Sequence, residues 1–191
     1  MMELRLFGNK EFCIAAILIG LTYMASMSGA TIVPLYIQTA RGESATLSGL
    51  VVLPGMLVSI LLSPVAGKLF DQFGARRVTL TGLLILFLGN SGFVFCTENS
   101  SLLMVTLLYL IRMFGTTLLL TPLSAYSVST LEKGQIPQST AIVTSFRQMV
   151  VVISVISVPA AVTAQAVQVS FGIQSVVYLA AIFLAWRQIQ K

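Results

Sequence analysis

The stretch Gly67-Lys-Leu-Phe-Asp71-Gln-Phe-Gly74-Ala-Arg76-Arg77 decides how the chain is organised. It is a short charged segment, and each of its flanks is an apolar run of roughly 20 residues, which is the length of helix that crosses the hydrocarbon core of a bilayer. The stretch therefore predicts a tight turn that joins two transmembrane helices at one membrane surface.

Each conspicuous residue of this stretch has a physical reason to be there. Gly67 and Gly74 allow a tight turn and a close backbone approach. Asp71 can accept hydrogen bonds from the free amides of a helix N-terminus. Arg76 and Arg77 favour the anionic cytoplasmic face of the membrane, and an arginine with Asp71 could form a state-dependent latch. The simpler alternative is a loop that only sets topology.

The composition of the whole chain fits this prediction. Of the 191 residues, 57% are hydrophobic and 9% are charged, whereas soluble domains carry about 25% charged residues. Six apolar segments are long enough to span a bilayer, so we predict one all-α integral membrane domain over residues 1–191. The predicted spans cover residues 12–37, 46–69, 78–96, 102–128, 138–162 and 167–186.

Basic residues are distributed unevenly between the predicted loops. With six spans, eight of the basic residues fall on the side that holds both termini, and Arg41 alone falls on the other side. Because cytoplasmic loops carry an excess of lysine and arginine, the pattern predicts a plasma-membrane protein with both termini in the cytoplasm. The eight are Arg5, Lys10, Lys68, Arg76, Arg77, Lys133, Arg187 and Lys191.

Several other functions are disfavoured by the residue content. The basic residues form no stripe with interleaved aromatic residues, so nucleic acid is not an expected partner. The chain has no histidine, and Cys13 and Cys96 form no CxxC pair. We therefore predict no metal, no cofactor and no enzymatic activity, because no constellation of acids or nucleophiles is present. The expected surroundings are the lipid bilayer.

Arg112 and Arg147 are the two basic residues within predicted spans. An arginine at mid-membrane costs about 2.5–3.5 kcal/mol on insertion scales, so it should face a partner or a wet cavity. We predict a role for both in a transport pathway or its gating; a structural role within the bundle is the alternative. Gln148 follows Arg147 and points about 100° away around the helix, so it could serve a neighbouring helix surface. We include it among the candidate transport and gating residues, with packing as the alternative.

Carboxylates are confined to predicted loops and span ends. A proton-driven carrier usually needs a buried acid or histidine that can be exposed to either side of the membrane. Either another polypeptide supplies that group, or this chain does not couple to protons. The six acids are Glu3, Glu11, Glu43, Asp71, Glu98 and Glu132.

The opening stretch resembles the loop signature of the major facilitator superfamily, G-x-L-x-D-x-x-G-x-R-R. Gln72 and Ala75 depart from its fuller form, as in the weaker copy found in the second half of these transporters. Further segments resemble the C-terminal six helices of the fourteen-span drug:proton antiporters of the QacA/EmrB type. These are Leu6–Phe12, Val33–Gln38, Ser48–Leu50 with Leu53–Gly55, Arg112–Gly115 with Thr121–Leu123, and Ser145–Gln148.

This resemblance implies a six-helix half-bundle that works by alternating access with a second half. It implies a lipophilic small molecule as substrate and proton-coupled efflux as the activity. It places Asp71, Arg76 and Arg77 in a cytoplasmic gating loop and associates Arg112 with coupling. Either a second transporter half or a second copy of the chain would complete the cavity. The alternative is a non-transporting membrane protein, either an inert remnant or an interaction partner of a full-length permease.

Overall fold

The computed structural model describes residues 10–97, 100–129, 144–145, 148–149 and 163–188, and every element within these ranges is helical. The all-α prediction is therefore confirmed. Helix α1 passes into a short π-helical segment at its end, and the other three helices follow in chain order. The elements are α1 (Lys10–Leu35), the π-helix (Tyr36–Ala40), α2 (Ala45–Val94), α3 (Leu102–Ser129) and α4 (Ala164–Gln188).

Five segments of the described chain are long and apolar enough to cross a membrane. Two of them are parts of α2, which we call its first limb (Ala45–Gly74) and its second limb (Arg76–Val94). The predicted span over residues 138–162 lies almost entirely outside the described residues. The other three segments are Ala16–Ala40, Leu102–Leu120 and Gln165–Phe183.

The chain reverses direction at Gly74, between the two limbs of α2. Gly74 has φ 78° and ψ 163°, a conformation that is almost exclusive to glycine. Along the first limb, Gly55 lies against Tyr109 and Ser59 bonds to Thr117, so this limb runs parallel to α3. The second limb runs antiparallel to α3, and a single residue therefore turns one helix back beside the other.

The second limb and α3 approach each other so closely that glycine is required at the contacts. A Cβ atom on Gly115 would lie 2.6 Å from the Leu86 nitrogen, and one on Gly89 would lie 2.8 Å from the Arg112 nitrogen. Small residues permit this kind of backbone approach between membrane helices. The paired positions also show the antiparallel course, because Gly82 meets Leu119 in the same interface.

Gly67, in contrast, is part of the helix and not of the turn that the sequence predicted. Within the described residues only Gly42 and Gly74 have a positive φ angle, and a Cβ atom on Gly67 would meet nothing within 4 Å. The residues between Gly67 and Gly74 include good helix formers such as lysine and leucine, so the first limb continues to Gly74.

Replacing Gly74 with alanine is expected to destabilise the bundle by about 2 kcal/mol, because the reversal needs a backbone conformation that side chains resist. Alanine at Gly67 serves as the matched control and should be neutral or stabilising by up to about 1 kcal/mol, since that site is helical and open. SDS titration of the folded chain in mixed micelles measures both values. Equal losses from the two substitutions would contradict the assignment of the turn to Gly74.

We call the two ends of the bundle the Gly74 end and the Gly42 end. At the Gly42 end, the Ser44 side chain caps α2 by accepting a hydrogen bond from the Leu47 amide at 3.2 Å. The Tyr36 hydroxyl donates to the Thr97 carbonyl oxygen at 2.6 Å, and Gln168 Nε2 donates to the Cys96 carbonyl oxygen at 2.7 Å. These bonds attach the π-helix and α4 to the connection between α2 and α3.

The apolar core consists of two clusters, one towards each end of the bundle. The cluster at the Gly74 end contains Ala16, Ile19, Leu83, Leu86, Leu119, Leu123, Tyr178 and Ala185 among its members. The cluster at the Gly42 end contains Ile32, Tyr36, Val52, Phe93, Val105, Tyr109, Val167 and Phe171 among its members. Each cluster draws side chains from α1, α2, α3 and α4, so the described helices form one bundle.

Candidate functional site

Arg112 lies on α3 at the junction of the two clusters and is completely buried. Its Nε donates a hydrogen bond to Asn90 Oδ1 at 3.2 Å, and its Nη2 donates to Ser28 Oγ at 3.4 Å. Its Cζ lies 5.5 Å from the centre of the Phe171 ring, close enough for a cation–π interaction. The guanidinium group therefore contacts α1, the second limb of α2 and α4 at once.

The groups that receive Arg112 are themselves fixed by further hydrogen bonds. Asn90 Nδ2 donates to the Phe171 carbonyl oxygen at 3.0 Å and to Ser175 Oγ at 3.3 Å. The Ser28 hydroxyl donates to Gln174 Oε1 at 3.1 Å. Because each partner is anchored to α4, the arginine is positioned by a network that a shift of α4 would disturb. We call Ser28, Asn90, Arg112, Gln174 and Ser175 the arginine network.

Glycine makes room for the arginine network. A Cβ atom on Gly29 would lie 1.4 Å from Arg112 Nη1, so no other residue fits beside the guanidinium without displacing it. The described partners of Arg112 are neutral oxygens and an aromatic ring. Burial of a charge is costly unless hydrogen bonds replace its hydration, and these contacts supply part of that replacement. The sequence predicts the cost of this arginine but does not identify Ser28, Asn90 or Phe171 as its partners.

An open groove of about 400 Å³ lies between α1, the first limb of α2 and α3. Hydroxyl groups and flexible apolar side chains alternate along its wall. The Thr117 hydroxyl donates to Ser59 Oγ at 2.8 Å, and the Ser59 hydroxyl lies 3.7 Å from the Met113 sulfur. The lining residues are Ser26, Met56, Ser59, Ile60, Ser63, Met113, Thr116, Thr117 and Leu120.

Sequence reasoning missed this groove, although two spacings indicate it in retrospect. Ser59 and Ser63 are four residues apart, as are Met113 and Thr117, so each pair shares one helix face. Arg112 and Met113 are neighbours on α3. The arginine network and the groove are thus contacted by successive residues of the same helix, pointing about 100° apart around its axis.

The residues of the opening stretch lie apart from Arg112, at the Gly74 end. Arg76 Nη2 donates to the Trp186 carbonyl oxygen in the last turn of α4 at 3.1 Å, where a positive charge is favoured by the helix dipole. Arg77 instead lines a second pocket, beside Phe73. The two arginines that the sequence treats as equivalent therefore have different surroundings.

Asp71 does not occupy the position predicted for it. It lies in the last turn of the first limb, three residues before the reversal, and not at the start of a helix. It is exposed and makes no hydrogen bond or ion pair to the described part of the chain. The negative end of the helix dipole disfavours a carboxylate there, so Asp71 does not stabilise the end of the first limb.

Two predicted site residues, Arg147 and Gln148, belong to the segment between α3 and α4. Arg147 lies outside the described residues, and Gln148 is helical and exposed.

A comparison with protein families assigns the fold. The family model described as the Major Facilitator Superfamily matches residues 15–190. The chain belongs to the Major Facilitator Superfamily. It is accordingly a multi-pass membrane protein of a transporter family, and its bundle is a major-facilitator half-bundle, as the opening stretch predicted.

Several curated proteins are similar to this chain over most of its length. The transporter YcnB of Bacillus subtilis is 33% identical over 149 residues, which are 78% of this chain and 32% of YcnB. The lincomycin resistance protein LmrB of Listeria innocua is 28% identical over 149 residues, 78% of this chain and 32% of LmrB. The multidrug resistance protein Stp of Mycobacterium tuberculosis is 30% identical over 129 residues, 68% of this chain and 24% of Stp. The chain thus spans about a third or less of the length of these relatives.

Proposed function

We propose that this chain forms the C-terminal half of a proton-coupled exporter of lipophilic small molecules, like the fourteen-span antiporters of the QacA/EmrB type. The amphipathic groove is the observation that carries the proposal. Its methionine, isoleucine and leucine side chains suit an apolar molecule, and its hydroxyl groups can orient polar substituents. The names of LmrB and Stp, resistance proteins for lincomycin and for multiple drugs, support export as the direction.

The proposed topology has six crossings. Leu123 near the end of α3 packs in the cluster at the Gly74 end, whereas Gln168 near the start of α4 bonds to Cys96 at the Gly42 end. The chain leaves α3 and enters α4 at opposite ends of the bundle, which supports one further crossing between them. Residues 138–162 are apolar and long enough to supply it.

We also propose that the Gly74 end faces the cytoplasm of the cell, with both termini there, and that the protein lies in the plasma membrane. Lys68, Arg76 and Arg77 lie at the Gly74 end, and Arg41 lies at the Gly42 end. This asymmetry agrees with the excess of positive charge in cytoplasmic loops.

Cysteine labelling of intact cells is expected to distinguish the two ends, and Cys13 and Cys96 are first replaced with serine. Cysteine at Thr46, exposed at the Gly42 end, should react with a membrane-impermeant maleimide added outside. Cysteine at Gln72, equally exposed at the Gly74 end, should react only after the cells are permeabilised. The reverse pattern would overturn the proposed orientation.

Completion by a second half is part of the proposal. The first limb is the least buried of the five segments, and it borders the open side of the groove. Alternating access needs two halves that rock around a central site. A partner half, or a second copy of this chain, would close the groove, pair with Asp71 and supply the acid for proton coupling, since no acid of this chain lies within a predicted span.

Within this proposal, the site residues predicted from the sequence act in conformational change. They are Gly67, Asp71, Gly74, Arg76, Arg77, Arg112, Arg147 and Gln148. The reversal at Gly74 and the charges of Asp71, Arg76 and Arg77 respond to closure at the cytoplasmic end. Arg112 couples α3 to its neighbours through the arginine network. For Arg147 this role rests on its predicted position at mid-membrane. For Gly67 and Gln148 it rests on the segments that contain them, which resemble segments of the family. Of these residues, those that the structure describes do not line the groove.

The direct test is dye export from cells that make this chain with or without the N-terminal half of a related fourteen-span antiporter. We expect export of a lipophilic cation only with both halves, and its loss when a protonophore collapses the gradient. Thr117→Phe, which fills the groove, should reduce export, whereas Leu107→Phe at an exposed position should not. Absence of export from the pair, together with co-purification of the chain on a full-length permease, would favour the non-transporting alternative.

A further inference from the structure

The second pocket lies at the Gly74 end, between the two limbs of α2 and α3. Its volume is about 320 Å³, and it shares no lining residue with the groove. Both limbs end there, so the pocket lies at the depth where the hydrocarbon core meets the polar headgroups. The lining residues are Leu69, Phe73, Arg77, Val78, Thr81 and Leu118.

The lining of this pocket is apolar except for the guanidinium of Arg77 and the hydroxyl of Thr81. The Thr81 hydroxyl donates to the carbonyl oxygens of Arg77 and Val78, at 2.7 Å and 3.1 Å, so its proton is not available to a ligand. Leucine, valine and phenylalanine side chains make up the rest of the wall, and Phe73 is half exposed at the opening. The guanidinium of Arg77 is the only charged group among the lining residues.

The charges near the pocket favour an anion. Arg76 is held by the Trp186 carbonyl oxygen, whereas Arg77 is exposed and lines the pocket. Lys68 is exposed beside Leu69, and Asp71 is the only acid in the same stretch. Three basic residues against one acid give this end a positive surface at headgroup depth, where anionic lipids are attracted.

We propose that this pocket binds an anionic phospholipid, with an acyl chain against Leu69, Phe73 and Leu118 and the phosphate at Arg77. A soluble anion would leave the apolar wall uncovered. A zwitterionic phospholipid also carries a phosphate, but Arg77 and its basic neighbours would repel the cation of its headgroup. The ligand therefore needs a hydrocarbon chain and a negative headgroup within one molecule. Bound in this way, the lipid contacts both limbs of α2 beside the reversal at Gly74.

The test uses the full chain purified in an uncharged maltoside detergent, with native mass spectrometry to count bound lipids. Phosphatidylglycerol is compared with phosphatidylcholine that carries the same acyl chains. We expect phosphatidylglycerol to bind with at least about fivefold higher affinity, the factor that corresponds to about 1 kcal/mol for one basic residue near the surface.

Three variants separate the pocket from general surface charge. Arg77→Gln should lower phosphatidylglycerol affinity at least about fivefold. Lys68→Gln removes an equal charge but lies outside the pocket lining, so it should lower the affinity clearly less. Thr81→Phe keeps all charges but fills the pocket, so it should weaken the binding of both lipids. If Thr81→Phe fails to fold, Leu69→Trp fills the same space from the first limb.

Two results would overturn the proposal. One is equal affinity of the unmodified chain for the two lipids. The other is an equal loss for Arg77→Gln and Lys68→Gln, which would show attraction to surface charge without a site. Because binding is measured on the chain alone, both results are independent of whether it exports drugs with a second half.

Discussion

Replacing Gly115 with alanine is expected to destabilise the bundle by about 3 kcal/mol or more, at the upper end of the usual cost of overpacking. The added methyl group would lie 2.6 Å from the Leu86 nitrogen, 2.9 Å from its Cα and 3.0 Å from the Gly82 carbonyl oxygen. These are main-chain atoms of the second limb, and no change of rotamer can move them aside. The helices must separate, and the contacts on either side are then lost as well.

The matched control for Gly115 is Gly172, on α4. It is also a glycine in a membrane helix, but a Cβ atom there would meet nothing within 4 Å. Alanine at Gly172 should be neutral or stabilising by up to about 1 kcal/mol. SDS titration in mixed micelles compares the two variants. A Gly115→Ala variant as stable as Gly172→Ala would show that the second limb and α3 do not pack as described.

Replacing Arg112 with alanine is expected to reduce export by the paired halves at least about tenfold, within the range of coupling energies between sites in proteins. The substitution removes the donors to Asn90 and Ser28 and the cation above the Phe171 ring. Arg112→Lys should be nearly as defective, because an ammonium group cannot reproduce the planar fork that reaches both oxygens. Initial rates of dye efflux measure the effect, with Lys68→Ala as the exposed basic control.

A substitution at Gly29 tests the same site without replacing Arg112 itself. The methyl group of Gly29→Ala would occupy the position of Arg112 Nη1, so export should fall as it does for Arg112→Ala. In the double variant the losses should not add, because both changes break one network. Equal amounts of each variant in the membrane exclude an insertion defect. Unchanged export by Arg112→Ala would refute the coupling role.

The sequence predicted the helices well because apolar length is a property of each segment alone. The reversal at Gly74 could also be predicted, since a glycine just before paired arginines and between two apolar runs favours a turn at the membrane surface. The prediction for Gly67 was wrong, because glycine occurs both in turns and within membrane helices, and the sequence alone does not distinguish the two. Asp71 was misplaced for a related reason: the reversal takes one residue, so the aspartate falls in the preceding helix and not before the next one.

The candidate site was less predictable than the fold. Arg112 could be predicted as a site residue because a charged side chain within an apolar span is energetically costly. Its partners could not be inferred, because Ser28 and Asn90 are 84 and 22 residues away in the chain. The groove could not be predicted either, because its lining residues are far apart in the chain. Serine and threonine are common in membrane helices, and only the packing of the helices shows which of them line one surface.

The single-residue turn at Gly74 has a mechanical consequence. The first limb carries Ser59 in the groove, and the second limb carries Asn90 in the arginine network. One residue has only two freely rotating backbone angles, so neither limb can slide far along its axis without pulling the other. A molecule that displaces the first limb would therefore also displace the second limb, and with it the hydrogen bond between Asn90 and Arg112.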